Sequence, residues 1–403
     1  MKFNVLRLAL LPATLLAWSA RWVLAQSVAE LQTNYTGATT WDSAGSVLTF
    51  TGSGEIALPK TNYAGSIWVV PAAVTRIVIN PSVTVMGQFT LAANCVIAGQ
   101  SRTTSIIYGT PEQRWADNRG VSPIDFSAVL STASLVTVSN LTSLNPKGYH
   151  IRGGSGSKII MSDCDIYDTR GGGGNHSDGF VGGNGSFVRN CYFETGDDVI
   201  KTYWGTTYYD GLVIKMVQNA VPIQLGWGGY GGGAVAHFTN LFVVGNSGRG
   251  GDKCVVNGAS GGAYTKTVNV HGCNIQNTNA TLVSLYETGQ SLWLNISEAF
   301  IKVKQFTNNS NLGSLTNSIC GSPVATNAYN CLPAPVISVM PAPGEFRLSW
   351  AEPVGTTHRL LASSNMTSWT TLLTTNAPLL PFRWGDPQWP GPPARFYRVE
   401  VAP

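Results

Sequence analysis

A three-residue pattern recurs through the middle of the chain: a polar residue, then Asn, Asp or Gly, then an apolar residue. It begins at Ser139, Ser162, Arg189, Asp210, Thr239 and His271, at spacings of 23, 27, 21, 29 and 32 residues. Short runs with strand-like alternation accompany it, and no helical periodicity lies between them. Asn, Asp and Gly tolerate left-handed backbone at tight corners. Parallel strands repeating without crossover helices predict an all-β chain whose main body is a right-handed parallel β-helix, with a β-sandwich or propeller as the alternative.

The composition excludes several kinds of partner. Only 11% of the 403 residues are charged, Gly occurs 45 times, and the net charge of +4 comes from scattered Lys and Arg. Without a basic stripe or run, neither a nucleic acid nor a membrane surface is expected as a partner. A capped β-helix also needs no second subunit, so we expect a monomer.

The two ends of the chain differ from its middle. Residues 1–25 place Lys2 and Arg7 before a short apolar stretch and end in Val-Leu-Ala, which predicts a secretory signal peptide and an extracellular protein. Residues 26–332 form the predicted β-helix domain, in which residues 26 to 70 cap the open end. After a Pro-rich linker, residues 333–403 predict an accessory β-sandwich module similar to fibronectin type III domains.

The chain has seven cysteines. Cys320 and Cys331 bracket a ten-residue loop rich in Gly, Ser, Asn and Pro, and oxidation in an exported protein permits a disulfide between them. The other five stand among β-branched and aromatic residues and are expected as buried thiols. No Cys or His cluster has zinc-ligand spacing, so neither a metal nor another cofactor is predicted.

Three carboxylates form the candidate catalytic site. Asp178 and Asp197 are 19 residues apart, close to one repeat, and Asp198 follows directly. In a parallel β-helix this spacing brings them to one face of neighbouring turns, where mutual repulsion raises at least one pKa. One protonated carboxyl and ionised partners suit glycoside hydrolysis, and inversion calls for carboxyls roughly 6.5–9.5 Å apart. Two Asp-containing turns with purely structural roles are the alternative.

Several side chains near these acids are candidates for substrate binding. Aromatic rings stack against the C–H faces of sugars, and Tyr203, Trp204 and Trp227 lie in the same stretch as the acids, although some aromatic residues there are expected to fill the interior. Lys201 is predicted to bond a sugar hydroxyl or to hold Asp197 or Asp198 ionised.

The ordered set of motifs resembles glycoside hydrolase family 49. The motifs are 177–179 (Ser-Asp-Gly), 197–198 (Asp-Asp), 200–204, 221–227 and 238–243, and the similarity spans roughly residues 135 to 305. The resemblance implies an inverting enzyme on a parallel β-helix, of the dextranase and isopullulanase type, that cleaves an α-glucan, with endo-hydrolysis of α-1,6-linkages in dextran expected. It implies that Asp197 is the general acid and that Asp178 and Asp198 position or deprotonate water.

The chain departs from the family pattern at three points. Only about 45 residues precede the first expected turns of the β-helix, where family members carry a sizeable β-sandwich. Val181 and Gln224 stand where the family often has acidic residues. These changes affect the expected sugar subsites more than hydrolysis itself.

Three other functions were weighed. A polygalacturonase-like hydrolase shares the fold and the three acids, but its Gly-His-Gly and Arg-x-Lys segments are absent from the sequence. A non-catalytic β-helix that binds carbohydrate would keep the aromatic residues and bind sugars without shortening them. A polysaccharide lyase would use calcium or Arg and Lys bases, which are not arranged for that purpose here.

Overall fold

The computed structural model describes most of the chain after residue 25. The described residues are 26–58, 67–109, 129–131, 134–146, 148–170, 177–217, 219–226, 232–245, 254–259, 262–308, 311–331, 336–342, 345–351, 357–375, 382–386 and 395–402. The predicted signal peptide lies outside them. No helix in this part of the chain combines the length and apolarity needed to cross a bilayer.

The described chain is built almost entirely of β-strands, most of them parallel, which confirms the all-β class. One short helix, α1 (Val28–Asn34), precedes the strands, and the Ser27 hydroxyl caps it by accepting the Glu30 N–H at 3.0 Å. The strands up to residue 330 are β1 (Thr39–Asp42), β2 (Val47–Phe50), β3 (Gly54–Glu55), β4 (Ile67–Val69), β5 (Arg76–Ile79), β6 (Val83–Met86), β7 (Gln88–Thr90), β8 (Val96–Gly99), β9 (Ser105–Tyr108), β10 (Val129–Ser131), β11 (Leu135–Ser139), β12 (Thr142–Leu144), β13 (Tyr149–Gly153), β14 (Lys158–Ser162), β15 (Asp165–Tyr167), β16 (Asp178–Val181), β17 (Phe187–Arg189), β18 (Tyr192–Glu194), β19 (Ile200–Lys201), β20 (Thr206–Lys215), β21 (Ile223–Gln224), β22 (Val235–Val244), β23 (Cys254–Gly258), β24 (Tyr264–Leu285), β25 (Gln290–Thr307), β26 (Ser314–Ile319) and β27 (Ala328–Asn330).

These strands pair in three rows, and the chain visits the rows in a fixed order. The first row contains β4, β7, β10, β13, β16, β19, β21, β23 and the end of β24. The second row contains β2, β5, β8, β11, β14, β17, the first halves of β20, β22, β24 and β25, and β26. The third row contains β3, β6, β9, β12, β15, β18 and the second halves of β20, β22, β24 and β25. All these pairings are parallel.

The recurring three-residue pattern marks the corner between the second and third rows. Its first residues lie in register from strand to strand, from Ser139 through Ser162 to His271. Its middle residues have positive φ angles, such as 52° at Asn140 and 64° at Gly211. The prediction of left-handed corners is therefore confirmed, because a side chain with a short polar group or none is what this backbone admits.

The residues inside the rows form one large apolar core. The third residue of each corner pattern is buried in it, as Leu141, Cys164 and Leu212 illustrate. Near the N-terminus, β1 and β2 form an antiparallel pair, and Leu31 of α1 joins the same core. Alternating apolar residues thus bury their side chains on one face of every row.

The last part of the chain forms separate antiparallel sheets. One contains β28 (Val336–Ala342), β29 (Glu345–Ala351) and β32 (Phe382–Gly385), and the other contains β30 (Thr357–Ser363), β31 (Thr370–Thr375) and β33 (Phe396–Ala402). Leu348 and Leu360 centre an apolar cluster distinct from the main core. The sandwich assignment and the domain boundary at residue 333 stay predictions.

Cys320 and Cys331 form a disulfide, as the sequence had suggested. The remaining cysteines, Cys95, Cys164, Cys191, Cys254 and Cys273, are free thiols, and all of them are buried. The expectation that they fill the core is confirmed.

Candidate active site

The three aspartates predicted from their spacing lie together at the first row. Asp178 begins β16, and Asp197 and Asp198 immediately precede β19, which pairs with β16 through Phe180 and Ile200. One carboxylate oxygen of each aspartate lies within 4.8 Å of one from each of the others. The close approach requires glycine at 179, where a Cβ atom would lie 2.3 Å from the Val199 carbonyl oxygen.

Lys201 lies between two of these acids. Its Nζ is 3.0 Å from Asp178 Oδ1 and 2.9 Å from Asp198 Oδ2, and all three side chains are buried. The Tyr149 and Tyr203 rings lie 5.2 and 5.8 Å from the same nitrogen. The ammonium therefore compensates two buried carboxylates in a setting where an unpaired charge is costly.

Burial and neighbouring charges shift the pKa values of this cluster in opposite ways. Burial raises the pKa of Asp178 well above its usual value, and the charges of Asp197 and Asp198 raise it further, while Lys201 opposes the rise. Burial alone would lower the pKa of Lys201, but Asp178 and Asp198 raise it well above its ordinary value. Lys201 is thus cationic, and Asp178 takes up a proton more readily than an ordinary carboxylate.

Asp197 is the partly exposed member of the three acids. The Asp198 N–H donates to its Oδ1 at 3.0 Å, and the Thr195 hydroxyl donates to its carbonyl oxygen at 2.7 Å. These bonds hold the turn between β18 and β19 and direct the carboxyl of Asp197 towards its neighbours. Of the three acids, it is the one that a large external substrate reaches first.

A buried polar chain supports this turn from behind. The Ser177 Oγ accepts the Gly196 N–H at 2.9 Å, and the Ser177 hydroxyl also bonds Asp168. Asp168 accepts from Arg170 Nε at 3.2 Å and forms a buried ion pair with it. Burial alone would raise the pKa of Asp168, but Arg170 and Ser177 hold it below its usual value. Asp168 and Arg170 were not predicted, because they look like an ordinary surface pair in the sequence.

We expect Ser177→Ala to lower kcat by about tenfold while costing about 1–2 kcal/mol of unfolding free energy, because a buried Gly196 N–H loses its acceptor. Ser186→Ala is the matched control: Ser186 is equally buried and accepts the Ile159 N–H at 3.0 Å, but in the second row. Denaturant titration and steady-state kinetics on both variants test this. Equal losses of kcat in the two would contradict a positioning role for Ser177.

The aromatic residues predicted for substrate binding have different settings. Tyr203 is buried and packs with Tyr149 and Val181, and the partly buried Trp204 meets it edge to face at a ring separation of 5.6 Å. Trp227 lies outside the described residues. Tyr149 was missed, although it stands opposite Asp178 on the neighbouring strand β13. Its distance of nearly one repeat before Asp178 is the signal that would have found it.

A second buried lysine holds the backbone next to the site. Lys266 Nζ donates to the carbonyl oxygens of Thr202 and Tyr203 at 3.0 and 2.9 Å. Burial lowers its pKa to about 8. The two bonds fix the segment that carries Lys201 and Tyr203, because an ammonium in this setting needs acceptors.

Polar side chains continue from Lys201 along the first row. Gln224, Asn257 and Ser284 stand in successive register with it and are buried. Within the described part of the chain, Gln224 Nε2 and Asn257 Oδ1 have no hydrogen-bond partner. Buried amides that lack partners are uncommon and often belong to sites that bind ligands or water. The sequence singled out Gln224 only as a departure from a family pattern, and Asn257 not at all.

The spacing of the acids differs from the expectation for inversion. Their nearest oxygens lie within 4.8 Å, closer than the roughly 6.5–9.5 Å expected between the two carboxyl groups. Such a group of carboxylates also has the donors to hold a cation, but the Lys201 ammonium already supplies a positive charge at hydrogen-bonding distance from two of them. The absence of a metal cofactor stays a prediction.

A buried Ser–His pair nearby is not a nucleophilic site. Ser143 Oγ and His150 Nδ1 lie 2.8 Å apart, and both residues are fully buried. Burial lowers the pKa of His150 to about 3, so the ring is neutral. A substrate has no access to this pair, and its role is polar packing inside the core.

The chain has no detectable similarity to known proteins: no family model, curated protein or solved structure matches it.

Proposed function

We propose that the protein is a secreted inverting glycoside hydrolase of the family 49 type, which cleaves an α-glucan, with endo-hydrolysis of α-1,6-linkages in dextran as the leading activity. We further propose that the three strand rows wind as a right-handed parallel β-helix, the arrangement in which the chain returns to each row at every third strand. The observation that carries the functional proposal is the convergence of three aspartates around one buried lysine.

In this mechanism Asp197 is the general acid. It is the most exposed of the three carboxyls and donates its proton to the glycosidic oxygen as the bond from that oxygen to the anomeric carbon breaks. A water molecule attacks the anomeric carbon from the opposite face, and its proton passes to Asp178 or Asp198. Lys201 favours the ionised form of both bases.

The short spacing of the acids is compatible with a bound water. A water that donates to two carboxylates at roughly 2.8 Å each bridges oxygens separated by somewhat less than twice that distance, and the separations here are within 4.8 Å. Because the pKa of Asp178 is raised, its basic form is lost as the pH falls, and the rate is expected to decline on the acidic side.

A neutral sugar suits the polar groups beside the acids. The amides of Gln224 and Asn257 offer a donor and an acceptor to hydroxyl groups, and Tyr203 and Trp204 place aromatic rings next to Lys201. Lys201 itself is occupied by two carboxylates, so it does not supply the uncompensated cation that a uronate would need.

The deciding experiment is release of reducing sugar from dextran, pullulan, α-1,3-glucan and polygalacturonate, with the product anomer followed by NMR. Dextran cleavage that first yields the β-anomer is expected. First formation of the α-anomer would overturn inversion and fit the closer carboxyl spacing of retaining enzymes. Release from polygalacturonate alone would favour the polygalacturonase-like alternative, and binding without release would favour a carbohydrate-binding protein.

A further inference from the structure

The outward face of the second row carries a groove remote in the fold from the three acids. The groove has a volume of about 460 Å³ and crosses strands β22, β24, β25 and β26. One wall follows a ladder of residues in direct register, His237, Asn269, Asn295 and Ser318, and the other wall follows Thr239, His271 and Ser297. The acids lie on the first row, which is a different set of strands.

Hydrogen bonds between neighbouring strands order the polar wall. Asn295 Nδ2 donates to Asn269 Oδ1 at 2.9 Å, and Asn269 Nδ2 lies 3.5 Å from His237 Nδ1. On the opposite wall, His271 Nδ1 lies 3.1 Å from Ser297 Oγ. Each of these groups keeps further hydrogen-bonding capacity for a ligand. The groove is therefore lined by donors and acceptors held in place before anything binds.

Exposed aromatic rings flank this ladder. Tyr208 is the next member of the register, is 43% exposed, and stacks on His237 at a ring separation of 5.3 Å. Trp293 is two residues before Asn295 on the same face of β25 and is 54% exposed. Large aromatic rings left in water on an ordered surface are typical of recognition sites, because binding removes their apolar faces from solvent.

The chemistry of the groove favours a neutral ligand. Its described lining contains no Asp, Glu, Lys or Arg, and the nearby His271 and Glu298 approach each other at 3.5 Å. Successive rungs of the ladder are separated by the spacing of parallel strands, about 4.8 Å, which is comparable to the length of one hexose ring. A chain of sugars lying across the strands would therefore meet one polar rung per residue.

We propose that this groove is a second binding site for a neutral polysaccharide chain, with Trp293 and Tyr208 as stacking platforms and Asn269 and Asn295 as partners for sugar hydroxyls. The identity of the glycan as an α-glucan rests on the proposed function, whereas the site itself rests on the groove. It anchors the protein on its substrate away from the acids.

Native electrophoresis in gels containing dextran tests this site. Every protein carries Asp197→Asn, so that the polysaccharide is not shortened and the active site is the same throughout. We expect dextran to retard the parent, with retardation weakened at least about threefold by Trp293→Ala or Tyr208→Ala and about tenfold by both. Phe396→Ala, which removes an exposed ring from β33, is the matched control and is expected to behave like the parent. Thermal unfolding establishes that each variant is folded.

Equal retardation of the parent and the double variant would overturn the proposal, as would equal retardation in polygalacturonate. Self-association that depends on Trp293 in sedimentation, without retardation, would assign the face to a second copy instead. Turnover of dextran without Trp293-dependent retardation leaves the proposed function standing and removes the site. Trp293-dependent retardation without turnover of any glucan does the reverse.

Discussion

Asp197→Asn is expected to lower kcat for glucan hydrolysis by about 10³-fold, within the range that a general acid contributes. The amide has nearly the same volume as the carboxyl but has no acidic proton to give to the glycosidic oxygen. The acceptor for the Asp198 N–H is retained by the amide oxygen. Unfolding free energy and oligosaccharide binding are therefore expected to change little. Single-turnover kinetics and calorimetric binding measure the two effects separately.

Asp163→Asn provides the control for this variant. Asp163 stands at a corner with a φ of 57°, and its Oδ1 accepts from Asn190 Nδ2, a bond that an amide oxygen also makes. We expect its kcat to equal that of the parent. If Asp197→Asn also retained the parent rate, Asp197 would not be the proton donor and the proposed mechanism would be wrong.

Lys201→Met is expected to destabilise the protein by about 3–5 kcal/mol, the cost of leaving buried carboxylates without their cation. Asp178 and Asp198 both lose a partner within 3.0 Å. Lys215→Met is the matched control, because Lys215 pairs with Glu194 at 2.9 Å but is 45% exposed on its side chain. A loss of at most about 1 kcal/mol is expected there. Urea titrations of both variants at pH 7 measure the difference.

The deficit of Lys201→Met should shrink as the pH falls. The folded-state pKa of Asp178 is raised above its unfolded value, so folding takes up a proton and the stability that this supplies is present at low pH and lost as the pH rises. Removing Lys201 also removes the group that opposes this rise. We expect the gap between the variant and the parent to narrow from pH 7 towards pH 4. A gap that is constant with pH would mean that lost packing, rather than unpaired charge, explains the destabilisation.

Much of the architecture was predictable because it depends on local chemistry. The polar, left-handed and apolar pattern at Ser162 and its equivalents specifies a corner each time it occurs, whatever the length of the loops between. Alternation of apolar residues specifies which face is buried. The 19-residue interval between Asp178 and Asp197 matches one passage through the three rows, so their convergence also followed from spacing.

Other parts of the site depend on which residues the rows place side by side. The intervals between equivalent positions vary from 21 to 32 residues, so spacing alone did not reveal that Tyr149 stands opposite Asp178 or that Asn257 follows Gln224. The Asp168–Ser177 contact behind the catalytic turn was hidden for the same reason. Lys201 was singled out in the sequence, but its position between Asp178 and Asp198 was not.

The sequence by itself determined the strand-rich architecture, the corners and the grouping of the acids, because each follows from the conformational preference of a few neighbouring residues or from one regular interval. Only the tertiary structure decided the partner of Lys201, the buried amides of Gln224 and Asn257, and the ladder of His237, Asn269 and Asn295. These depend on register between strands separated by irregular loops. Register is set by the packing of the whole core, and no local segment encodes it.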